Sequence, residues 1–265
     1  MCVSYPLLAA EGSEFEAPGP GDFEYPPIFG DGTFFTKPML IIAVATIAVA
    51  LLFFLATRRA AAVPGKGQFM GESVYGFVRN GIALDAMGRE GLRFVPYLAT
   101  LFVFIVTLNI SGIIPFVQFP ATSRIAIPLF LAVISCVIFN TIGIRRQGFV
   151  GYFKNMMFPP GIPWPVYFLL APIELVSTVI IRPLTLMLRL TFNMFAGHLV
   201  LLLFILGGEF LLLEKGGLVG IAAGSVSLLG SIVLTFFEGF VQILQAYVFV
   251  LLTALYIGGA LSEEH

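Results

Sequence analysis

Charge is what this sequence has least of. Only 11% of its 265 residues are charged, where a soluble domain of this length would carry roughly a quarter. Basic and acidic residues nearly cancel to a net −1, which excludes an electrostatic reader of nucleic acid. There are two cysteines, Cys2 and Cys136, with neither metal-site spacing nor a disulfide framework, so each reads as a small apolar residue. No Gly-Lys-Ser/Thr phosphate loop occurs, so nucleotide chemistry is not expected in this chain, nor is any cofactor or metal. Residues 1–12 lack a basic region and a long enough apolar run, so no cleavable signal is expected.

Apolar residues fill the space that charge leaves. They make up 58% of the chain, and the mean hydropathy is +1.00. That composition predicts an all-α polytopic protein whose solvent is the lipid bilayer. Residues 1–37 are acidic and rich in Pro and Gly, and read as an extended tail. Residues 38–57 form an apolar run of about the ~20 residues that a helix needs to cross hydrocarbon, stopped by Arg58 and Arg59. Residues 58–95 mix Arg79, Asp85, Arg89, Glu90 and Arg93 with Val74, Phe77, Val78, Ile82 and Leu92, a pattern suited to an amphipathic segment on the membrane surface. Residues 96–144 hold two further spans joined by a turn at 120–124, and 145–165 form a second basic loop. Residues 166–261 are apolar except around Glu209, Glu214 and Lys215, and a short tail, 262–265, ends the chain. No soluble domain and no internal repeat are visible.

Basic residues concentrate in the loops 58–93 and 145–165, which the positive-inside rule assigns to the cytoplasm. The acidic tail is then expected outside and the C-terminus inside. Val166 to Leu206 is too long for a simple span: its 41 residues would make a helix roughly 60 Å long across a core ~30 Å thick. Leu218 to Leu261 poses the same problem. Each is either two helices without a visible loop or one strongly tilted helix. The lack of a polar turn cluster favours a long tilted hairpin.

Glu174, Arg182, Arg189, His198 and Glu238 lie deep in this apolar sequence, where an arginine at mid-span costs on the order of 2.5–3.5 kcal/mol. Glu174, Thr178, Arg182, Thr185, Arg189 and Asn193 follow helical steps of three and four, as do Ser227, Ser231, Thr235, Glu238, Gln242 and Gln245. Two polar stripes are therefore expected, one on each helix. Thr185, Ser227 and Ser231 fit simple glue between helices. Glu174 and Arg182, eight residues apart, are expected to lie too far apart to pair directly, with Arg182 snorkelling to an interface. Arg189 is too far from either end of its run for that. His198 lies off the stripe, and on the residues alone packing and function are equally open to it.

The run from Arg182-Pro183 through Arg189-Leu190 and Asn193-Met194 to Gly197-His198 is similar to the signature of the a-subunit family of F-type ATP synthases. Leu244 to Phe249, the acidic end Ser262 to His265, and Leu108 to Pro115 with its Asn109 also resemble family segments. The resemblance spans roughly residues 95–265. It implies a stator in the cell inner (plasma) membrane that forms two half-channels against a rotating c-ring, with b-type peripheral-stalk subunits as further partners. Arg189 matches the family's essential arginine, Asn193 would support it, and Gln245 matches the glutamine opposite. His198 and Glu238 occupy the positions of an acid–base pair whose order is usually the reverse. With Asn109 and Glu174, they are the expected proton path. Gly112 stands where some members place an acid, so no carboxylate role is carried over there. Two alternatives remain: a secondary transporter with a midplane ion site, which would predict an inverted repeat, and a polar-glued assembly protein, which leaves Arg189 without a role.

Overall fold

The computed structural model describes residues 19, 37–58, 65–114, 121–157, 164–213 and 217–261. The acidic tail, Cys2, Arg59, Pro120, the Pro-rich run 158–163, the pair Glu214 and Lys215, and the end 262–265 lie outside them.

All the described regular structure is helical. The first helix, α1 (Lys37–Arg58), is apolar over most of its surface and buries the narrow row Pro38, Ile41, Ala45 and Val49, as a helix set in lipid does. It packs on α2 (Lys66–Val78) and α4 (Val95–Ile110). Between these come a π turn (Arg79–Ala83), the short α3 (Leu84–Met87) and a 3-10 turn (Glu90–Phe94). The segment expected to lie along the membrane surface is in fact docked into the core through Val78, Ile82 and Ala83, all fully buried. Phe69, Met70 and Phe77 stay exposed on its other side, so both of its faces are apolar.

Helix α5 (Ala126–Gln147) ends where the sequence dictates. Arg145 and Arg146 stand in the last turn, favourable to the negative end of the helix dipole, and Gly148 follows at φ 75°. A short α6 (Phe149–Met157) folds back and donates the Tyr152 hydroxyl proton to Asn140 Oδ1 at 2.9 Å. Next, α7 (Trp164–Val176) runs through a π turn (Ser177–Ile181) into α8 (Arg182–Leu213), and α9 (Gly217–Leu261) returns along α8. The π turn sits just before Pro183, whose ring clashes with an upstream carbonyl and whose missing N–H leaves it unpaired; the wider turn absorbs both. The apolar run expected to end near Leu206 continues helically through the exposed Glu209 to Leu213.

Five helical stretches are long and apolar enough to cross a membrane, the last two of 47 and 45 residues. At 1.5 Å per residue each of these exceeds the ~30 Å core about twofold. The two long segments are thus continuous helices forming a hairpin. Small residues let them approach: a Cβ at Gly224 would lie 2.9 Å from the Gly208 carbonyl oxygen, and Ser227 Oγ donates to the Phe204 carbonyl at 2.8 Å. The main core joins Leu98 and Ile105 of α4, Phe139 of α5, Leu186 and Leu190 of α8, and Phe249 and Ile257 of α9.

Gly258 is a close-approach position of a different kind. A Cβ there would run into the Ala86 carbonyl oxygen, which is backbone and cannot rotate away. Gly258→Ala is therefore expected to separate α9 from α3 and destabilise the fold by roughly 1–3 kcal/mol. Thermal melting in detergent checks this, with Gly259→Ala, which meets open space, as the neutral comparison.

Candidate functional site: a polar line between three helices

Helices α4, α8 and α9 enclose polar side chains that the two stripes and the Asn109 motif supplied separately. Asn109, fully buried near the end of α4, donates from Nδ2 to the Gln242 carbonyl at 3.1 Å and accepts at Oδ1 from Thr122 Oγ1 at 2.8 Å. One turn from Gln242, its Nε2 donates to Glu238 Oε1 at 3.3 Å. The same carboxylate oxygen lies 3.9 Å from His198 Nδ1, an ion-pair distance when the imidazole is protonated. His198 and Glu238 are both buried, and Gly197 lies beside the carboxylate, whose Oε1 is 3.6 Å from where a Cβ would be, an ordinary contact distance. Glu238 Oε2 and Gln242 Oε1 are buried without a hydrogen bond from any described residue. Leaving such acceptors dry costs about 1–3 kcal/mol each, which makes this a place for water or a proton.

The two stripes do not face the same way. Glu238, Gln242 and Gln245 turn inward against α8 and α4, whereas Arg189 and Asn193 are exposed. They meet at one point, where Asn193 Nδ2 donates to Gln245 Oε1 at 3.3 Å. Arg189 forms no hydrogen bond or ion pair with a described residue. Exposed beside it on α8 are Thr185 on one side and Phe192 and Asn193 on the other, each about one turn away.

At the start of α8 the structure overturns an expectation. Arg182 and Glu174 do pair, at 3.5 Å, and Arg182 also lies over the Tyr256 ring, 5.2 Å from its centroid. Eight residues of α-helix would leave the two side chains about 80° out of phase. The π turn between them absorbs about one extra residue and brings them back onto one face. It also interrupts the six-residue stripe, since Thr178 is buried while its neighbours on the stripe are not. Thr185 and Ser231 bond carbonyls of their own helices, and only Ser227 bridges the hairpin.

The family model described as the ATP synthase A chain matches residues 39–258. This chain belongs to that family. It is 47% identical to the ATP synthase subunit a of a Nocardioides species, over 98% of each chain. The corresponding protein of Frankia alni is 45% identical, over 98% of this chain and 90% of its own. That of Streptomyces lividans is 44% identical, over 96% and 91%. As a subunit a, the protein is the proton-translocating stator in the membrane sector of an F-type ATP synthase, a multi-pass membrane component of that complex.

Two members of this subunit's polar line were not among the expected site residues. Gln242 was legible as a member of the α9 stripe, one turn from Glu238, but nothing in its spacing marks it as the link to Asn109. Thr122 stood in a turn between spans and carried no sequence signal at all.

Proposed function

We propose that Arg189 is the fixed cation that faces the c-ring and separates two half-channels of this subunit. One is lined by Asn109, Gln242, Glu238 and His198, and the other lies beside Glu174 and Arg182. The observation that carries this reading is an exposed guanidinium on a membrane-spanning helix, with no partner among the described residues. An arginine in that position calls for an anionic partner from outside the chain, and a carboxylate passing on a rotor is one. Because a guanidinium stays protonated, it holds such a carboxylate ionised and blocks a direct proton path past it. On α8, Arg189 lies seven residues after Arg182 and nine before His198, about 10 Å and 14 Å along the axis, so it stands between the two polar groups.

The orientation we propose puts the C-terminus in the cytoplasm and the N-terminal tail outside. It is supported by the end of the bundle where Arg146 reaches both Glu90 and the Leu261 carbonyl, which also carries Arg93 and Arg145. Glu238 and Asn109 are then near the outer surface, and the Glu174–Arg182 pair opens inward. The b-type stalk subunits are the further proposed partners. A single cysteine at the exposed Phe192, one turn from Arg189, should cross-link to the ring subunit in the assembled complex, while one at the exposed Leu129 on α5 should not. Equal yields at the two positions would dismiss this face as the ring contact.

A further inference from the structure

A second basic site lies away from the polar line, at the end of the bundle where α5 leaves the membrane. Arg93, Arg145 and Arg146 line an open groove of about 520 Å³ between the 3-10 turn before α4 and the last turns of α5. One wall is α5, where Val137, Ile138 and Ile142 precede Arg145 and Arg146, so the groove runs from the arginines along α5 for about 12 Å of helix, and the other is Arg93 with Phe94. Arg146 is paired with Glu90, while Arg93 and Arg145 form no ion pair with a described carboxylate. The groove therefore holds three guanidinium groups against one carboxylate, and both of its walls belong to membrane-spanning stretches.

We propose that this groove binds one anionic phospholipid, its phosphate held by Arg93 and Arg145 and an acyl chain laid on Val137, Ile138 and Ile142. Guanidinium donors suit a phosphate's paired oxygens, and the charge excess at a span end favours an anionic headgroup over a zwitterionic one. The apolar wall distinguishes a lipid from a small anion, because free phosphate gives it nothing to cover. Of the three arginines, Arg146 is the positioning one: its bonds to Glu90 and to the Leu261 carbonyl fix the end of α5 against the neighbouring elements.

The test uses the intact ATP synthase complex in vesicles of phosphatidylcholine with added phosphatidylglycerol. A photo-crosslinking amino acid replaces Thr141, an exposed residue on the groove's rim. The expected product after irradiation is a phosphatidylglycerol adduct on this subunit, half-saturating at a lipid fraction that rises roughly fivefold for each of Arg93→Gln and Arg145→Gln. Arg79→Gln, at an exposed arginine outside the groove, should leave it unchanged. A protein adduct at Thr141 would assign the groove to a neighbouring subunit instead. No lipid adduct, or one insensitive to both arginine substitutions, would equally overturn the proposal.

Discussion

Replacing Arg189 with alanine is expected to abolish both ATP-driven proton pumping and proton-driven ATP synthesis, with the subunit still in the membrane. Arg189 is exposed and bonds no described residue, so its removal breaks no hydrogen bond or ion pair with them. Burying the charge in hydrocarbon costs on the order of 2.5–3.5 kcal/mol, so alanine should insert at least as readily. Pumping in inverted vesicles, followed by fluorescence quenching of a pH-sensitive dye, measures the loss, and immunoblotting measures retention. Arg189→Lys keeps the charge but loses the planar fork, and it should fall roughly tenfold or more if that geometry matters. Coupled pumping by the alanine variant at wild-type rates would remove the central role given to this residue.

The second large effect is expected at the His198–Glu238 pair. Imidazole takes up and releases protons near neutral pH, and a carboxylate oxygen lies 3.9 Å from His198 Nδ1. In the half-channel proposed above, a proton would pass between them on a small approach or through a bridging water. Glu238→Gln is the cleaner variant, because its amide oxygen still accepts from Gln242 Nε2 and the local packing survives. Glu238→Gln and His198→Ala should each slow proton flux by on the order of tenfold or more. The exchange His198→Glu with Glu238→His should then recover part of the loss, since it restores one acid and one imidazole across the same gap. Silent single variants would reduce the pair to packing. Damaging singles without rescue would mean that the two act independently, as a double-mutant cycle would reveal.

The five spans, the placing of the charges within them and the phase of the α9 stripe were legible because they depend on local chemistry. A run of apolar residues without a turn must satisfy its backbone internally, so helices were dictated and the continuity of the last two was favoured. His198 was correctly turned away from Arg189 by its nine-residue offset, and the structure has one buried and the other exposed. The Glu174–Arg182 pair was not legible, since it depends on a π turn that a 3.6-residue periodicity cannot register. The docking of Ile82 and Val78 was missed for a related reason: the same apolar side chains suit a lipid surface and a protein core equally well.

By itself the sequence determined a membrane protein of long helices, with an arginine at mid-span and polar stripes that had to be satisfied by something. Tertiary structure alone decided which stripe faces inward, where Asn193 meets Gln245, and how Thr122, Asn109 and Gln242 join the His198–Glu238 pair. The reason is physical. Helical phase is set by bonds four residues apart, whereas the contact of Asn109 with Gln242 closes over 133 residues. It exists only because packing of α4 against α9 brings a buried amide to a carbonyl that no local pattern could select.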